Sequence, residues 1–118
     1  MAEHLDSRVL ATLQEVMEAE YPVLLETFLV DSEERVRLLQ AACLSGEADQ
    51  LRQAAHSFKG SCSNMGALML AELCRQVEEA ARRGQLADAP ELIGCIEREF
   101  AIVRILYRAE RQRFRAPR

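Results

Sequence analysis

The chain has 118 residues, enough for one domain with a single modest core, and 49% of them are hydrophobic, which excludes disorder throughout. Aromatic residues make up only 5% and there is no Trp, so Ala and Leu carry the apolar content, a bias towards helix packing over strands. The net charge of −4 is unevenly placed: residues 1–55 hold 11 acidic and 4 basic side chains, residues 56–118 hold 8 and 11, and the acidic half would repel phosphate, which argues against a nucleic-acid surface.

Helical spacing recurs from end to end, and no strand-type alternation persists. A first helix is predicted over roughly 6–18, capped by Asp6, with Val9, Leu10, Leu13, Val16 and Met17 on one face. Tyr21-Pro22 breaks the chain. Because Pro is accepted in a first helical turn, a second helix runs over roughly 22–44, with Leu25, Phe28, Leu29, Val36, Leu39 and Cys43 apolar. Ser45-Gly46 is its stop. A third helix is predicted over 48–64, followed by a short turn at Gly66. A fourth covers 67–83, with Leu70, Leu73, Cys74, Val77 and Ala81 on one stripe, and stops at Gly84. Asp88 and Pro90 signal a fifth over 89–110, with Leu92, Ile93, Ile96, Phe100, Val103 and Leu106 inward. A basic tail of about 111–118, which includes Pro117, is expected to fray. Short links imply antiparallel neighbours. The expected architecture is all-α, one domain over residues 1–118: an antiparallel up-down four-helix bundle with an additional N-terminal helix.

Cysteines 43, 62, 74 and 95 form no CxxC pair. No apolar run approaches the roughly 20 residues of a membrane span, and no signal-peptide pattern opens the chain. A reduced, cytoplasmic setting is the simplest reading, with the thiols as small core hydrophobes. Zinc sites use close ligand pairs, so no metal and no cofactor is expected.

The chemistry-bearing stretch is AAHSFKGSCSNMGA, residues 54–67. It holds His56, one of two histidines, and Lys59, the only lysine. On a wheel of about 100° per residue with His56 at zero, Lys59 falls at about −60°, Gly60 at about +40° and Arg52 at about −40°. Leu51, Ala54, Phe58, Cys62 and Met65 fall opposite, centring the core face about 180° from His56. The imidazole is therefore expected on the solvent face. An ordinary imidazole is largely neutral at physiological pH and keeps a nucleophilic nitrogen that can accept a phosphoryl group. Lys59 can neutralise phosphate oxygens as a point cation, and Arg52 can add positive potential. A surface glycine inside a helix costs about 1 kcal/mol relative to Ala. Its presence at Gly60 suggests that a partner must come close. Ser57 and Ser61 lie well round the helix from His56, so a Ser–His catalytic pair is not expected. His4 is expected to be incidental, in a mobile N-terminus.

The run HSFKGSCSNMGALMLAELCRQVEEAARRG, His56 to Gly84, closely resembles the signature of histidine-containing phosphotransfer (HPt) domains. That signature is His-x-x-Lys-Gly, a Gly six residues further, then Leu, Leu-Cys and a Leu/Val-Glu pair. The matching residues are His56, Lys59, Gly60, Gly66, Leu70, Leu73, Cys74, Val77 and Glu78. The resemblance implies a four-helix bundle whose exposed His56 takes a phosphoryl group from a receiver-domain aspartate, such as that of a hybrid sensor kinase, and passes it to a response-regulator aspartate. Lys59 would steady the phosphate and Gly60 would admit the partner. Some family members have a glutamine where this chain has Glu78. A carboxylate there could orient His56 by accepting Nδ1–H; the alternative is a flank charge that does not touch it.

The resemblance further implies a stand-alone bacterial phosphocarrier, a cytoplasmic monomer without ATP-binding or autokinase motifs, membrane contact or nucleic-acid partner. Apolar residues of the first two helices are expected on the rim of the docking surface around His56. The competing reading is a helical-bundle interaction module that docks receiver domains without phosphotransfer; His56 and Lys59 together argue against it.

Overall fold

Pro22 and Pro90 each stand in the first turn of a 25-residue helix, where a missing N–H costs nothing. The structure, a computed structural model, describes residues 3–114. It contains α1 (Ser7–Met17), α2 (Tyr21–Ser45), α3 (Ala48–Asn64), α4 (Leu68–Arg82) and α5 (Ala89–Arg113), and no strand among the described residues. Single 3-10 turns at Glu18–Glu20 and Leu86–Asp88 lead into the two long helices.

Helices α2 to α5 form the bundle. α2 lies beside α3 and α5, and α4 closes the square against the same two. Pairings across the α2–α5 seam show its antiparallel sense: Tyr21 meets Glu110, Glu26 meets Arg111, Glu33 meets Arg104 and Gln40 meets Glu97. From Glu26 to Gln40 one number rises as the other falls. No described helix is long and apolar enough to cross a membrane.

The core is aliphatic, with Leu25, Leu29, Leu39, Leu51, Leu70, Val77, Ile96 and Val103 almost fully excluded from water around Phe58. Two tyrosines share it, and each buried hydroxyl finds an acceptor. Tyr21 donates to Glu110 Oε2 at 2.7 Å, and Tyr107 donates to the carbonyl of Met65. The second bond fixes the α3–α4 turn to α5. Tyr21, read from sequence as a break, is a core residue.

α1 crosses the end of the bundle. Asp6 caps it, its carboxylate accepting Arg8 N–H at 2.9 Å, while Asp6 N–H donates to the Gly66 carbonyl at 2.8 Å. Gly66 has φ +80°, a left-handed conformation that favours glycine. A Cβ there would also lie 3.0 Å from Val9 Cβ and 3.3 Å from the Asp6 carbonyl oxygen. Thus Gly66 is the seat of α1.

The apolar pattern overstates two inward faces. Val16 is 71% exposed, because α1 packs on the bundle through Leu10, with Leu13 and Met17 only half-buried. Leu106 lies at the edge of the α5 stripe and is exposed. The basic tail also differs from expectation. α5 continues through Arg113, and Phe114, one heptad beyond Tyr107, packs edge-on against Tyr21 with ring centroids 5.1 Å apart. Arg111 pairs with Glu26 at 2.6 Å. The remainder of the expected frayed end, 115–118, lies outside the described residues.

Candidate functional site

α3 buries Leu51, Ala55, Phe58 and Cys62. At about 100° per residue these fall at about −100° to −160° from His56, so the core face is centred nearer 130° away than 180°. Ala54, on the far side at about 160°, is only half-buried, Met65 lies beyond the helix end, and Ala55 at about −100° is fully buried. The shift turns the Lys59 side of the helix towards α4 and leaves His56 on the shoulder. Its side chain is 65% exposed, yet one edge of its ring meets the neighbouring helix.

The contact there is Glu78. It follows buried Val77 and lies one turn beyond buried Cys74, so its side chain leaves α4 at the margin of the core. Oε2 is 2.8 Å from His56 Nδ1, and Oε1 is 2.7 Å from Lys59 Nζ. One carboxylate therefore bridges an imidazole and an ammonium that lie one turn apart on α3. Lys59 Nζ meets Oε1 as an ion pair, a close point charge beside the carboxylate. Partial burial pushes the Glu78 carboxyl up, but the contacts with Lys59 and then His56 outweigh it and hold it below its ordinary value. Glu78 is thus an ionised acceptor at neutral pH. An acceptor-only partner makes Nδ1 the protonated nitrogen and leaves the Nε2 lone pair free.

Gly60 faces open space: a Cβ built on it meets nothing within 4 Å. No packing demand inside the protein accounts for the glycine. Arg52 is not brought to the cluster. Its guanidinium lies 3.0 Å from Asp49 Oδ1, and no hydrogen bond or ion pair joins it to His56, Lys59 or Glu78. Sequence reasoning missed Arg35. It reaches from α2 to donate to Ser57 Oγ, setting a second cation beside the residue that follows His56. Nothing in the spacing of α2 marks it, since the pairing is across helices.

The other histidine is also placed differently from expectation. His4 Nδ1 lies 2.7 Å from Oε2 of Glu99, which is only 5% exposed on α5. The segment before α1 is tied to the bundle by this contact. All four cysteines are free thiols. Cys62 and Cys74 are fully buried neighbours on facing helices, and burial followed by contact with Cys74 pushes the Cys62 thiol up. Among the described residues no group of three or more His, Cys, Asp or Glu side chains converges as a metal site would require. The cleft between α1 and the end of α3, lined by Val9, Thr12, Leu13 and Asn64, does not include His56. An imidazole on a convex helix surface is open to another protein and does not enclose a small molecule.

The chain as a whole is similar to known proteins. The Hpt domain family matches residues 23–110, a span that covers His56, Lys59, Gly60 and Glu78. The phosphorelay proteins LuxU of Vibrio vulnificus strains YJ016 and CMCP6 are each 30% identical over 98 residues, 81% of this chain and 85% of theirs. The crystal structure of histidine-containing phosphotransfer protein B (HptB) from Pseudomonas aeruginosa PAO1 matches with a TM-score of 0.94 and 65% identity. That match covers 98% of this chain and 100% of the other.

Proposed function

The chain belongs to the Hpt domain family, and we propose that it serves two-component signalling as a phosphotransfer intermediate whose phosphoryl group rides on Nε2 of His56. The observation that carries this assignment is the 2.8 Å contact between Nδ1 and Glu78, which commits the ring's proton to one side and exposes the other nitrogen.

The chemistry follows from those atoms. The donor is an acyl phosphate, formed on a receiver-domain aspartate of a hybrid sensor kinase. The Nε2 lone pair attacks phosphorus, the N–P bond forms, and the P–O bond to the aspartate breaks with its electrons returning to the carboxylate. The proton stays on Nδ1, so the product is a phosphoimidazolium held by the Glu78 carboxylate. In the onward step a response-regulator carboxylate attacks phosphorus, and the N–P bond breaks with its electrons returning to Nε2. No proton is gained or lost in either direction. Lys59 supplies a cation one turn along the helix for the transferring oxygens. Gly60 leaves room for the incoming loop. Arg52, engaged by Asp49, contributes background potential only. The carrier role needs no nucleotide, metal or cofactor, and a cytoplasmic monomer meeting receiver domains transiently suits it.

The test is uptake of labelled phosphate from a phosphorylated receiver domain. The wild-type chain becomes labelled and His56→Gln does not, and the label is lost in acid but kept in base, as a phosphoramidate requires. A wild-type protein that binds the receiver domain without acquiring label would favour the docking-module reading.

A further inference from the structure

The inference concerns what Glu78 does to the phosphoryl group, and it rests on the reading that His56 carries that group. Glu78 touches both other members of the cluster, at 2.8 Å and 2.7 Å. In the unloaded protein the charge of Lys59, the sole lysine, is already answered by that carboxylate. A phosphoryl group on Nε2 brings up to about two further negative charges to the same ammonium, beside a fixed anion.

We propose that the negative charge of Glu78, beyond its hydrogen bond, sets how readily the phosphoryl group leaves His56, biasing the carrier towards donation. Two effects of the carboxylate favour departure and together outweigh its attraction for the cationic ring. It competes with the phosphoryl oxygens for Lys59 and repels them, so the loaded state is less stabilised than it would be beside a neutral side chain. Its charge also holds the proton on Nδ1 more firmly than a neutral acceptor would, so the ring departs as neutral imidazole from a cationic phosphoimidazolium, a far better leaving group than an imidazolate. The remaining nearby charges do not substitute for Lys59. Arg52 is paired with Asp49 and Arg82 with Glu79, although Arg82 also feels the Glu78 charge, and Arg35, whose partner Ser57 is neutral, makes no contact with His56, Lys59 or Glu78. An amide in place of the carboxylate would keep an oxygen to accept Nδ1–H while releasing Lys59 to the phosphate.

The experiment compares wild type, Glu78→Gln, Lys59→Met and the double variant, each shown by thermal melting to be folded. All are loaded from the same phosphorylated receiver domain. One reading is the half-life of the isolated phosphoprotein; the other is the equilibrium ratio of phosphohistidine to receiver aspartyl phosphate. In Glu78→Gln the half-life lengthens about fivefold to tenfold and the equilibrium moves towards phosphohistidine, the scale expected for removing one charge several ångströms away in a partly exposed site. Lys59→Met shortens the half-life more in the Glu78→Gln background than in wild type, because only there is the ammonium free. A Glu78→Gln half-life equal to or shorter than that of wild type overturns the proposal, as does a Lys59→Met effect of the same size in both backgrounds. Failure of the underlying reading looks different: label is absent from wild type or persists in His56→Gln.

Discussion

Nδ1 of His56 lies 2.8 Å from Oε2 of Glu78, although 22 residues and a helix–helix turn separate the two. Free imidazole in water prefers its proton on the nitrogen remote from the side-chain attachment. An ionised carboxylate at this distance reverses the preference. Nitrogen NMR of the neutral protein should therefore report His56 as the Nδ1–H form. Glu78→Ala should return it to the Nε2–H form, with the helical signal unchanged. Persistence of Nδ1–H in the alanine variant would assign the tautomer to some other cause.

Gly60 separates stability from function cleanly. A Cβ at this position meets nothing within 4 Å, and glycine inside a helix is about 1 kcal/mol worse than alanine. Gly60→Ala should thus raise stability by about 0.5–1 kcal/mol in urea unfolding. Gly60→Leu should fold as well as the alanine variant, yet accept phosphate from a receiver domain at least about tenfold more slowly, since a branched side chain one turn from His56 displaces the incoming loop. Equal transfer rates in all three proteins would leave the glycine without a docking role.

The path from sequence to site was most direct where one helix decides the outcome. The third helix reads as 48–64 from its spacing and spans those residues in the structure. His56, Lys59 and Gly60 fall on its outer half by periodicity alone. Where two elements must meet, the wheel runs out. It leaves Glu78 with two readings, a partner of His56 or a flank charge, because the reach from α4 to His56 depends on how far α3 is rolled. That roll shows in two adjacent alanines that sequence cannot rank, Ala54 half-buried and Ala55 fully buried. The same limit hides Arg35 at Ser57 and His4 at Glu99, pairs 22 and 95 residues apart. Tyr21 beside Pro22 looks like punctuation, and only packing against α5 reveals it as core.

The His4–Glu99 contact has a cost attached to its loss. Glu99 is 5% exposed, and His4 is its only hydrogen-bond partner among the described residues. Leaving a buried acceptor unmet costs about 1–3 kcal/mol. His4→Ala should lower stability by that order, whereas Glu99→Leu combined with His4→Ala should recover most of it, because the buried carboxylate is then gone. Phosphate uptake at His56 should be unaffected in both. If His4→Ala unfolds at the wild-type urea concentration, the contact does not fasten the N-terminal segment.

Acid should dissolve the Glu78 bridge, and the direction follows from its titration. Contacts with Lys59 and His56 hold the folded-state carboxyl below its ordinary value of 4.5, against the upward push of burial. A carboxyl whose folded value is depressed stabilises the protein above its unfolded value, and that stabilisation is lost as pH falls through the folded value. The contribution of Glu78 is therefore complete at pH 6–7, begins to decline below about 4.5, and vanishes once the folded carboxyl is protonated. Urea unfolding of wild type and Glu78→Gln at intervals from pH 7 to pH 3 isolates it, since every other titrating group is common to both proteins. The difference in stability should shrink progressively as pH falls below about 4.5. A difference that stays constant down to pH 3 would mean that the carboxylate's charge contributes nothing to holding α3 against α4.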